Sequence, residues 1–148
     1  MKRIAAASQI WRDDCYYLNR QTGACERKYV LVLAVDGSSG DAVTAVFTSK
    51  PNGLTEQPPC SSGPPRAGYF VGAPGGVLQV PSWTDFSSID TLDEADLRRH
   101  IRDGRKTLLT QSLAPDVFCA VLRCALRSDV TRRQARFIGD VITSMNCP

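Results

Sequence analysis

The stretch CERKYVLVLAV, Cys25–Val35, governs how the chain is read. From Tyr29 to Val35 it is an unbroken apolar run of strand length, as a strand buried on both faces requires. Glu26, Arg27 and Lys28 stand directly before that run and have no use in a core. Either they are polar punctuation that keeps a strand end soluble, or they are held at its mouth for chemistry.

Reading outward from this strand gives the rest of the first half. DGSSGD (Asp36 to Asp41) is dense in turn residues, so AVTAVFTS (Ala42 to Ser49) is expected to return as a hairpin. The start of one strand then lies beside the end of the other. Arg27, Lys28, Thr48 and Ser49 should meet at one rim of the sheet, cations beside hydroxyls, a set that suits a phosphate. Upstream, SQIWRDDCYYL (Ser8 to Leu18) reads as a strand and NRQTGACERK as a polar loop. Lys50 to Gly68 holds five prolines and three glycines, so a long irregular loop is expected there. Strand character resumes from Tyr69, with a turn at Pro74 to Gly76 and a break at Pro81.

The second half changes period. Thr91 with Glu94 three residues later reads as a capping box opening a helix that ends near Gly104. RKTLLTQS suggests a last strand. Pro115 suits a first helical turn, followed by a stripe of Val117, Phe118, Val121, Leu122 and Ala125. A third helix is expected over about 131–145, with Ala135, Ile138, Val141, Ile142 and Met145 on one face and Arg132, Arg133 and Arg136 on the other. Strands followed by helices predict an α+β fold, and the 148 residues fit one domain, 1–148.

The totals narrow the function classes. Net charge is +3, mildly basic rather than the strong excess of a general nucleic-acid coat. No apolar stretch has the length of a membrane span, and the start lacks a signal-peptide core, which predicts a cytoplasmic protein with no membrane association. Six cysteines are present with no CxxC pair, and the single histidine, His100, lies outside any ligand spacing. This predicts no metal site and no disulfide framework, but reduced thiols, some buried as small hydrophobes. There is no GxSxG elbow, no HExxH and no GxxxxGK[ST] loop. His100, among the charges of DLRRHIRDG, reads as a solvated surface residue. Trp11, Tyr16, Tyr17, Trp83 and Phe86 read mainly as core, with one or two available to stack on bases.

ERKYVLVLAV, then AVFTSK, then SWTDFSSIDTLDEADL, in this order and spacing, resemble the MazF/PemK family of toxin endoribonucleases. The likeness spans about Gln9 to Leu126. It implies a small antiparallel SH3-like β-barrel with C-terminal helices (MazF/PemK/CcdB-like), usually dimeric, that cleaves single-stranded RNA without a metal or other cofactor. The RNA's own 2′-hydroxyl attacks, so the protein supplies only a proton acceptor, a proton donor and positive charge. Carried over, Lys28 with Arg27 would stabilise the phosphate, Thr48 and Ser49 would position it, and Asp85 would serve as base. Arg66, Ser82 and Trp83 would contact RNA. The implied partner is an antitoxin with an acidic disordered segment. The chain departs from the family where Lys28–Tyr29 replaces an Arg-Pro pair, since lysine lacks arginine's bidentate fork. The loop at 50–68 and the helix at about 131–145 look additional. A binding module without catalysis is the alternative.

Overall fold

The computed structural model describes residues 3–148. The elements run β1 (Gln9–Leu18), β2 (Cys25–Val35), β3 (Ala42–Thr48), β4 (Cys60–Ser62), β5 (Ala67–Gly72), β6 (Ser82–Leu92), α1 (Glu94–Arg102), β7 (Lys106–Ser112), α2 (Pro115–Ala125) and α3 (Arg132–Ser144). The seven strands form one sheet in the order β4-β5-β6-β3-β2-β1-β7, and every pairing is antiparallel. The fold is α+β. The sheet is open: among the described residues no pairing joins its edge strands β4 and β7. β4 is three residues long and lies between two Pro-Pro pairs, Pro58–Pro59 and Pro64–Pro65, which lack the donors that closure would need. No helix is long and apolar enough to cross a membrane among the described residues.

β2 begins earlier than its apolar run. Tyr17 and Leu18 of β1 pair with Glu26 and Cys25, so the charged residues are strand and not loop. Further along, alternate side chains enter two different cores. Leu31 and Leu33 pack with Phe118, Val121, Leu122 and Ile138, beneath α2 and α3. Val30 and Val32 pack with Trp11 and Leu97, beneath α1. Burial on both sides is why the run is continuous rather than alternating. The turn after β2 is closed by Asp36, whose carboxylate accepts from the backbone and hydroxyl of Ser38 and the hydroxyl of Ser39. These bonds, led by that of Ser39, hold its pKa down at about 2.

Two local expectations are corrected. Thr91 is the penultimate residue of β6, and the α1 cap is Asp93, which accepts from the N–H groups of Ala95 and Asp96. The capping box belongs instead to α3, between Thr131 and Gln134. The segment 50–68 is not wholly irregular, because β4 and the start of β5 lie within it. Gly68 on β5 explains part of that packing: a Cβ there would come 2.5 Å from the Thr84 carbonyl oxygen, which is backbone and cannot step aside. Gly68→Ala should cost about 1–3 kcal/mol through overpacking, read as a lower midpoint in urea.

The cysteines are the largest correction. All six are paired, as Cys15–Cys25, Cys60–Cys124 and Cys119–Cys147. Two of the pairs span 28 and 64 residues of sequence, and the third joins neighbouring cysteines across the β1–β2 loop. Cys15–Cys25 ties β1 to β2, Cys60–Cys124 ties the short edge strand to α2, and Cys119–Cys147 ties α2 to the segment after α3.

Candidate functional site

The hairpin of β2 and β3 brings Val30 opposite Val46, so the residues beyond these lie at one end of the sheet. There a cleft of about 220 Å³ is lined by Arg27, Lys28, Thr48, Ser49 and Ser82, with Tyr29, Phe47 and Leu78 among its apolar walls. Four of the five residues assigned to catalysis from the sequence therefore share one cavity. Both cations already have partners. Arg27 Nε lies 3.3 Å from Asp14 Oδ1, and Lys28 Nζ lies 3.2 Å from Glu26 Oε1. Neither carboxylate lines the cleft. Thr48 Oγ1 accepts the Lys50 N–H at 3.2 Å, which folds the chain back at the end of β3. Ser82 Oγ donates to the Val80 carbonyl at 2.9 Å. The arrangement offers hydroxyls and two exchangeable cations to an anion of phosphate size.

The fifth residue, Asp85, lies elsewhere. It is buried, ion-paired to Arg66, and accepts from the backbone and hydroxyl of Ser87. Its position opposite Val46 places it along the sheet, two residues inside the rim. Asp85 and Arg66 thus satisfy one another and hold β6 to the start of β5. Trp83 is buried as well, its Nε1 donating to the Thr55 carbonyl at 2.9 Å and its ring against Phe70. These contacts make it a wall for the 50–68 segment and leave no face for a base.

A second polar cleft, of about 290 Å³, opens on the α1 side of the sheet. Its lining includes Trp11, Asp13, Tyr16, Asp90, His100, Arg105 and Lys106. Asp13 and Lys106 form a buried pair, Oδ2 to Nζ 2.6 Å, with side chains 7% and 10% exposed. Burial, then the charges of Arg105 and Lys106, pull the His100 pKa below its ordinary value, so the ring is neutral at pH 7. Burial, then the carboxylates Asp85, Asp13 and Asp90, push the Tyr16 hydroxyl up. His100 is thus no simple solvated residue. Its charged neighbours in DLRRHIRDG hid this, because Trp11, Asp13 and Tyr16 of β1, far away in sequence, line the same cleft. Among the described residues, no group of three or more His, Cys, Asp or Glu is placed to hold a metal ion.

No protein-family model, no curated protein and no solved structure matches this chain.

Proposed function

We propose that the protein is an endoribonuclease that cleaves single-stranded RNA at the rim cleft by attack of the substrate's own 2′-hydroxyl. The observation that carries this reading is the meeting of Arg27, Lys28, Thr48, Ser49 and Ser82 around one cavity at a rigid strand end. The 2′-oxygen forms a bond to phosphorus as the bond to the 5′-oxygen breaks, leaving a 2′,3′-cyclic phosphate and a 5′-hydroxyl. Arg27 and Lys28 offset the charge on the phosphoryl oxygens, and Thr48 and Ser49 hold them. Asp85 is committed to Arg66 and, among the described residues, no carboxylate lines the cleft, so solvent water takes the 2′-proton. Lys28 then protonates the leaving oxygen. No step calls for a cofactor. A disordered acidic antitoxin segment would bind by replacing Asp14 and Glu26 as partners of the two cations, and a homodimer belongs to the same reading.

A second reading, a module that binds nucleic acid or protein without cleaving, is favoured by one observation: among the described residues no carboxylate or imidazole lines the cleft. Incubation of a long, unstructured RNA with purified protein in EDTA separates the two. Cyclic-phosphate ends should appear with wild type and fall at least about a hundredfold in Lys28→Ala, the range for loss of a general acid, and fall also in Thr48→Ala. Folding of each variant is checked by circular dichroism. Intact RNA at high protein concentration would leave the binding module. Disulfides persist mainly in oxidising compartments, which sits poorly with the cytoplasmic setting of such a toxin. Running the assay on oxidised and reduced protein shows which form acts.

A further inference from the structure

The cleft on the α1 side is unused by the reaction above, yet it has the make-up of a ligand site. Its lining pairs Asp13 with Lys106 and leaves two opposite charges over. Asp90 Oδ1 accepts the Thr91 N–H at 2.8 Å, and Asp90 has no ion-pair partner among the described residues. The Arg105 side chain likewise has none. Tyr16, in the same lining, is 40% exposed, so its ring is accessible. A second observation is independent of these charges. Trp11 Nε1 and His100 Nδ1, both in residues of this cleft, are buried without hydrogen-bond partners. Orphaned polar atoms are rare in native interiors, and each calls for a partner from outside the chain, a water or ion included.

The cleft lies on the opposite face of the sheet from the rim cleft: Val30, Val46 and Leu92 of its wall belong to the core beneath α1, and Tyr29, Phe47 and Leu78 of the rim cleft's wall to the core beneath α2 and α3. Lys28 and Thr48, two residues along the same strands from Val30 and Val46, line the rim cleft, so an extended chain passes from the rim to this cleft round the ends of β2 and β3. An aromatic ring, a free carboxylate and a free guanidinium are the partners of a base face, a donor edge and a phosphate. Only guanine presents two adjacent N–H donors, N1 and N2, to one carboxylate. Adenine and cytosine offer an amino group beside a ring acceptor, and uracil has one N–H between two carbonyls.

We propose that this cleft holds a guanine of the single-stranded RNA, stacked on Tyr16 with its N1 and N2 edge on Asp90 and a flanking phosphate on Arg105. This inference rests on the RNA reading of the rim. It is tested by binding alone, with fluorescently labelled thymidine hexadeoxynucleotides carrying one dA, dC, dG or dT at the third position. They lack the 2′-hydroxyl and cannot be cleaved by the proposed route. The dG oligomer should bind at least about tenfold tighter than the others, as a bidentate base contact provides. Asp90→Asn should abolish that advantage and leave affinity for the other three unchanged. Arg105→Ala should weaken all four.

Equal binding of the four, or a dG preference that survives Asp90→Asn, overturns the guanine site while leaving the rim reading intact. A dG preference that Asp90→Asn removes, in a protein whose affinity Lys28→Ala does not alter, upholds the guanine site and sinks the rim. No binding by any oligomer sinks both.

Discussion

Removing Cys60–Cys124 as a Cys60→Ala/Cys124→Ala pair should lower the unfolding midpoint by about 10–15 °C. The bridge spans 64 residues of sequence. Cross-linking so long a loop takes about 4 kcal/mol of freedom from the unfolded chain, and a domain of this length loses about 3 °C per kcal/mol. The location compounds the effect. Cys60 sits on a strand of three residues, too short to hold its place by pairing alone, while Cys124 is buried in α2. Scanning calorimetry of the oxidised double variant, beside wild type with and without reductant, measures it. Full reduction should be more damaging still, because two further loops open. A wild-type midpoint indifferent to reductant, in a sample whose six thiols then titrate, would show the bridges to be dispensable.

Lys106→Met should destabilise the protein by about 3–5 kcal/mol, the cost of leaving a buried carboxylate without its counter-charge. Lys106 Nζ is 2.6 Å from Asp13 Oδ2, and among the described residues the only other bond to that carboxylate is from the Cys15 N–H. The asymmetry of such pairs gives the control. Asp13→Asn together with Lys106→Met removes both charges and should recover much of the loss, since a buried pair gains little over neutral groups of similar shape. Urea titrations of the single and double variants read the difference. A neutral Lys106→Met would mean that water reaches Asp13 and replaces the lysine.

Much of the fold was legible because it rests on local pattern. The apolar run from Tyr29, the turn at Asp36 to Asp41 and the stripe of α2 each announce themselves over a few residues. The meeting of Lys28 with Thr48 followed from hairpin geometry alone. What stayed hidden depends on partners distant in sequence. Nothing local in Cys60 names Cys124, and nothing in DLRRHIRDG shows that Trp11, Asp13 and Tyr16 of β1 share a cleft with His100. Asp85 stood as a candidate base only because the resemblance placed an acidic group near it; that Arg66 claims it is visible only once β5 lies beside β6. The α1 cap slipped by two residues because Thr91 and Asp93 both offer side-chain oxygens, and β6 takes the first.

The two-sided burial of β2 leaves a problem of alignment during folding. A strand with one wet face is kept in place by polarity, because sliding it by one residue turns its apolar side to water. Leu31 and Leu33 on one face and Val30 and Val32 on the other would exchange cores and still be out of water. The information that fixes the alignment must therefore sit at the strand's ends. At one end the Asp36 turn sets how β3 returns. At the other, Cys15–Cys25 locks β1 against β2 beyond the apolar run. A chain in which both are loosened would keep its hydrophobic burial and still pair its central strands one residue out of place.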